Sequence, residues 1–86
     1  MSEYTPVTYH NITPDVFECM KKKLKGAGIH VPQGNNGDME GSGVKAYFEW
    51  DGKSDLIITI QKKPFILSYG FVIGKIKSFV DDCQGK

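Results

Sequence analysis

Two cysteines and two histidines carry the most reactive side chains of this chain: Cys19, Cys83, His10 and His30. A cysteine nucleophile needs a histidine within hydrogen-bond reach and a third group that orients the imidazole ring. The spacing of the four residues supports no such arrangement, and no CxxC or HxxxH pattern is present to suit a metal ion. We therefore expect no catalytic residue, no metal and no cofactor, and a small cysteine–histidine enzyme is only the third function hypothesis.

A glycine-rich segment, residues 33–43, holds the best candidate oxygen ligands, namely Asn35, Asn36, Asp38 and Glu40. Their order does not match a calcium-binding EF-hand loop, and no Gly-Lys-Ser/Thr run is present to cradle phosphate. Four glycines and two asparagines in eleven residues disfavour regular structure. The pattern predicts a flexible loop, with contact to a partner or an ion site as the alternatives.

Lysine supplies all 11 basic side chains, and the formal net charge is only +1. Lysine neutralises phosphate as a point charge but lacks the planar fork of arginine, which disfavours a dedicated nucleic-acid reader. A local basic patch is still a candidate anion site, and it gives the second function hypothesis, an anion- or nucleic-acid-binding module. Its candidate residues are Lys21, Lys22, Lys25, Lys62 and Lys63.

Small residues four apart, Gly70, Gly74 and Ser78, form a ridge along the last predicted helix. The ridge lies nearly opposite the apolar stripe of that helix, and Phe71 lies beside it. Two glycines cost a helix about 2 kcal/mol relative to alanine, and close approach of another chain is one known use of small residues. These four residues are the candidate binding site. The competing interpretation starts the helix only near Phe71.

Two helices and three strands must position these groups. Thr13, Pro14 and Asp15 are typical of a helix start, and Gly26 ends that helix. The second helix follows Ser68, and its apolar stripe extends from Tyr69 to Cys83. Residues 29–31, 44–50 and 56–61 alternate as strands, with a turn over 51–55. Residues 1–12 form a polar lead-in, in which Val7 and Tyr9 are compatible with a short strand.

The predicted fold is a single α+β domain over residues 1–86, in the order α-β-β-β-α. A three-stranded antiparallel sheet carries both helices on its apolar face. Eighty-six residues leave no room for a second domain. The small number of cysteines, the lack of a signal-peptide pattern at the start and the lack of a run long enough to span a bilayer all indicate a cytoplasmic protein with free thiols, and one disulfide between Cys19 and Cys83 is the alternative.

The leading function hypothesis is a small non-enzymatic binding protein that acts through the outer face of the second helix. Its partner is another protein or a second copy of the chain, and the glycine-rich segment is a second contact. An interfacial membrane role for the apolar stretch from Pro64 to Ile76 is disfavoured, because its lysines are too few for strong anchoring.

Overall fold

A computed structural model describes residues 5–85, so Met1 to Tyr4 of the polar lead-in lie outside the described residues. The elements in chain order are β1 (Val7–Tyr9), α1 (Pro14–Gly26), β2 (Asn36–Gly41), β3 (Val44–Trp50), β4 (Leu56–Lys62) and α2 (Tyr69–Cys83). The strands form one antiparallel sheet in the order β1-β4-β3-β2. The described residues share one hydrophobic core.

The β3–β4 hairpin forms as the alternating pattern predicts. Most of its inward side chains are almost completely buried and those of Val44 and Trp50 are half-buried, whereas Tyr47 and Thr59 pair on the other face of the sheet. Both helices cover the inward face: Phe17, Met20 and Leu24 from α1, and Val72, Ile76 and Val80 from α2. The α+β class and the placement of both helices on the apolar face are therefore confirmed.

The sheet has four strands, not three, because the glycine-rich segment contains β2. Met39 is 4% exposed and pairs with Ala46, so a single apolar side chain fixes the register of an otherwise polar strand. Ser42 and Gly43 both have positive φ, 54° and 81°, which is the backbone of a tight two-residue hairpin turn. The expectation of an irregular loop throughout residues 33–43 is corrected at residues 36–41.

The predicted strand over residues 29–31 is also corrected. Only one isolated bridge forms there, between His30 and Glu40. Its neighbour Ile29 passes very close to β2, since a Cβ on Gly41 would lie 2.8 Å from the Cα of Ile29. Because Gly41 has no Cβ, the backbone at Ile29 can approach β2 this closely without forming a ladder of strand hydrogen bonds.

The lead-in supplies a fourth strand at the other edge of the sheet. Val7 pairs with Ile58 and Tyr9 pairs with Leu56, which places both side chains on the helix-covered face. Ile12 follows and is fully buried. The weaker expectation of a short strand at Val7 and Tyr9 is confirmed.

One end of the molecule, the disulfide end, is closed by polar contacts. It comprises the Cys19–Cys83 disulfide, residues 10–12 and the hairpin turn 51–55. The Trp50 indole N–H donates to the Ile12 carbonyl at 2.8 Å, and its ring stacks on Phe17 with centroids 4.2 Å apart. In the turn, the Asp51 carboxylate accepts three backbone N–H groups, and these hydrogen bonds lower its pKa.

Candidate functional site

The opposite end of the molecule, the groove end, contains an open apolar groove of about 210 Å³. The disulfide joins α1 to the last residue of α2, whereas the last turn of α1 meets the first half of α2 at the groove, so the helices run in opposite directions. The groove is lined almost entirely by apolar side chains: Leu24, Ala27, Ile29, Met39, Val44, Ala46, Ile60, Leu67, Phe71, Val72, Ile76 and Phe79, with Ser42 and Lys75.

The first half of α2 is positioned by its N-terminal cap. The Ser68 hydroxyl accepts the Phe71 N–H at 3.0 Å, so the helix starts at Tyr69 and includes Gly70. The competing start near Phe71 is wrong. Tyr69 is fixed in turn by its hydroxyl, which donates to the Thr5 carbonyl at 2.6 Å. These two contacts orient Phe71 to the groove side of the helix, where its ring is 59% exposed.

The connection between β4 and α2 forms a projecting turn beside the groove. The Leu67 N–H donates to the Pro64 carbonyl at 3.0 Å and closes the turn. Phe65 and Ile66 lie at its tip, and Leu67 turns back to line the groove. With Phe71, the two tip residues are the large apolar side chains that the described part of the chain leaves exposed.

The segment that contains β4 and most of α2 is positively charged. Lys75 is the one charged residue that lines the groove, and its ammonium lies 5.7 Å from the centroid of the Phe79 ring. From Leu56 to Val80 the sequence contains four lysines and no Asp or Glu. Lys77 pairs with Asp81 at 3.0 Å, which leaves Lys62, Lys63 and Lys75 as the cations of the segment without a described ion pair. An anionic group in the groove beside Lys75 would be attracted by its ammonium.

The sequence-predicted ridge lies on the solvent side of α2. Gly70, Gly74 and Ser78 are exposed, and a Cβ built on either glycine would have nothing within 4 Å. No other segment of the described chain therefore uses these glycines for close packing. Phe71 joins the ridge to the groove, because it borders the former and lines the latter.

The lysines of the candidate basic patch lie in different local surroundings. Lys21 donates to the Gly34 carbonyl at 3.0 Å, and its ammonium lies 4.6 Å from the centroid of the Phe17 ring. Lys22 and Lys25 are exposed on α1, whereas Lys62 is the last residue of β4 and Lys63 follows it. Two tyrosines whose rings could stack on bases are also in different places, because Tyr47 lies on the open sheet face and Tyr69 packs against the core. The anion-binding module remains a prediction.

The reactive residues do not form a nucleophilic site. Cys19 and Cys83 form a disulfide, which corrects the expectation of free thiols and leaves neither sulfur as a thiolate. His10 lies 3.2 Å from Asp55, and His30 lies in the bridge to Glu40. Within residues 5–85, no three metal-binding side chains come together. The cytoplasmic location stays a prediction, but it loses the support of free thiols, because a lasting disulfide is typical of an oxidising compartment.

Sequence reasoning identified Phe71 but missed the groove next to it. The groove combines residues from five separate segments, and only Phe71 and Lys75 differ in kind from ordinary core positions. Phe65 and Ile66 fall between the predicted strand 56–61 and the second helix, and the one sequence signal for a projecting turn is an apolar pair directly after Lys62-Lys63-Pro64.

The chain matches no protein-family model, no curated protein and no solved structure in three comparisons. Over the described range 5–85, neither helix is long and apolar enough to cross a membrane.

Proposed function

We propose that this chain is a small non-enzymatic binding protein that holds an apolar group lying next to a negative charge. The observation that carries the proposal is the apolar groove of about 210 Å³, with Phe71 exposed at its edge and Lys75 as its one charged residue. Binding sites for small molecules are typically apolar concavities with a few polar groups that orient the ligand.

The site retains Phe71 from the sequence prediction but moves its centre from the ridge to the groove side of α2. The ridge of Gly70, Gly74 and Ser78 supports a second proposal, contact with a protein partner or a second copy of the chain. Its support is that both glycines are open to solvent and have no packing use within the described chain. Gly74→Leu would fill the ridge and is expected to abolish such contact without unfolding the monomer.

The groove proposal is tested with anilinonaphthalene sulfonate, an aromatic anion whose fluorescence rises in apolar surroundings. We expect saturable binding to the native protein and competition by dodecanoate that exceeds competition by dodecanol. Phe71→Ser removes apolar contact, and Lys75→Gln removes the cation, so each variant should weaken binding severalfold. Lys22→Gln is the matched control, since it removes one exposed helical lysine that does not line the groove.

Native folding of each variant is checked by a cooperative urea transition, because loosely packed states also bind this dye. If the native protein binds no dye, or if Phe71→Ser and Lys22→Gln bind it equally, the groove proposal is wrong. Self-association that is lost on Gly74→Leu, with no dye binding, would instead favour the ridge.

A further inference from the structure

The turn between β4 and α2 projects two neighbouring apolar side chains into solvent. Phe65 is 94% exposed and Ile66 is 78% exposed. Side chains that keep nearly all of their surface in water gain almost nothing from the fold through burial. Neither residue lines the groove. Packing within the described chain therefore does not account for an apolar pair at this tip.

Two lysines precede the projecting turn, and the nearest acidic residues along the chain are distant. Lys62 and Lys63 come directly before Pro64, and Lys75 lies one helical turn beyond Phe71. The nearest acidic residues along the chain, Asp55 and Asp81, belong to the disulfide end of the molecule. Along the 25 residues from Leu56 to Val80, the sequence thus carries lysines and no Asp or Glu.

We infer that this tip, formed by Phe65 and Ile66 and preceded by Lys62 and Lys63, inserts into the interface of a membrane that contains anionic phospholipid. A lipid surface presents negative headgroups above an apolar layer, which complements a protruding apolar pair next to two lysines. A protein partner would need a pocket that receives both side chains, and the turn itself supplies no groove for a partner to fill.

The inference rests on the proposed function, since an anionic phospholipid is an apolar group next to a negative charge. It adds a separate contact, because the tip residues lie outside the groove. Two side chains and two lysines provide weak anchoring, so binding should be reversible and should weaken as salt is added. The number of lysines limits the strength of binding and does not exclude it.

Cosedimentation of the full chain with vesicles of phosphatidylcholine, with and without phosphatidylserine, tests the inference. We expect binding to the phosphatidylserine vesicles and little binding to the neutral ones. Phe65→Ser/Ile66→Ser should reduce binding by at least about tenfold through lost apolar insertion. Lys62→Gln/Lys63→Gln should reduce it by roughly tenfold through lost attraction to the headgroups.

The matched control is Lys22→Gln/Lys53→Gln, which removes the same charge at exposed positions of α1 and the hairpin turn. The inference is overturned if neither vesicle binds, if the control weakens binding as much as Lys62→Gln/Lys63→Gln, or if light scattering shows that the tip variant instead breaks a dimer. Dye binding in the groove separates the two proposals. If the dye binds and the vesicles do not, the membrane inference fails and the groove proposal stands.

Discussion

The two ends of this molecule differ in how far they cover their apolar surface. At the disulfide end, apolar surface is covered, and the backbone groups of the chain crossing there have partners: Gln84 donates to the carbonyls of His10 and Asn11, and Trp50 donates to that of Ile12. At the groove end, the same two helices and the same sheet leave an open apolar concavity. The fold thus concentrates its cross-links at one end and its exposed apolar surface at the other.

The difference teaches where function belongs in a chain this small. A domain of this size has little stability to spare, so exposed apolar surface must be offset by strong contacts elsewhere. A cross-linked end can hold the helices while the other end stays open. Substitutions should therefore separate into two groups: those at the disulfide end change stability, and those at the groove end change binding.

Removal of the disulfide should have the largest effect on stability. Cys19 and Cys83 are 64 residues apart, and a closed loop of that length corresponds to about 4 kcal/mol in the chain-entropy model. We expect Cys19→Ala/Cys83→Ala to lower the free energy of unfolding by approximately that amount. Urea unfolding followed by Trp50 fluorescence measures it, with the oxidised native protein as reference.

The same double variant is also tested for dye binding at the groove end. Dye binding in the groove should persist under conditions in which the double variant is still folded, because neither cysteine lines the groove. Equal urea midpoints for the oxidised protein and the double variant would show that the cross-link does not hold this end together.

Loss of one hydrogen bond at Trp50 should have the next largest effect. Trp50→Phe keeps an aromatic ring near Phe17 but leaves the Ile12 carbonyl without the indole N–H. We expect a destabilisation of about 1–2 kcal/mol, since an unsatisfied carbonyl close to the core is costly. The measurement is thermal unfolding by circular dichroism. Phe71→Leu at the groove end is the control, and a larger loss of stability in this control would reverse the proposed division of roles.

The regularity of each element determines whether it was predictable from sequence. The apolar stripes of α1 and α2 and the alternation in β3 and β4 repeat over many residues, so periodicity identified them. β2 has one core side chain, Met39, among glycines and polar residues, and its strand geometry is imposed by pairing with β3. Local propensity carries almost no signal for such a strand.

The candidate site was less predictable than the fold. A groove forms where the side chains of several separate segments leave the space between them unfilled. No pattern within a single segment predicts it. Phe71 was found because it departs from a regular pattern within one helix. The disulfide could not be assigned from two cysteines alone, because pairing depends on how α1 and α2 approach each other.

Gly74→Ala should produce a smaller effect with the opposite sign. Gly74 is in the interior of α2, and a Cβ there would meet nothing within 4 Å. Alanine should therefore raise the free energy of unfolding by about 0.5–1 kcal/mol. Chemical denaturation measures the gain. Light scattering of the same variant tests whether the ridge is a contact surface. If self-association weakens although the fold is more stable, the contact between copies depends on the bare glycine backbone.

The smallest effect near neutral pH is expected at Tyr9, the one exception to good hydrogen bonding in the core. Among the side chains of residues 5–85, its hydroxyl is the buried polar group without a hydrogen-bond partner, and burial, with a smaller contribution from Tyr69, raises the pKa of Tyr9 to about 12 from 10.0. The unfolded chain therefore loses this proton at lower pH than the folded protein. Stability from the protonated form is complete below pH 10 and is lost as the pH rises toward 12.

Tyr9→Phe cannot lose that proton, so its melting temperature should fall less steeply over this interval. Parallel slopes for the two proteins in thermal melts between pH 9 and pH 12 would show that the buried hydroxyl does not govern alkaline unfolding.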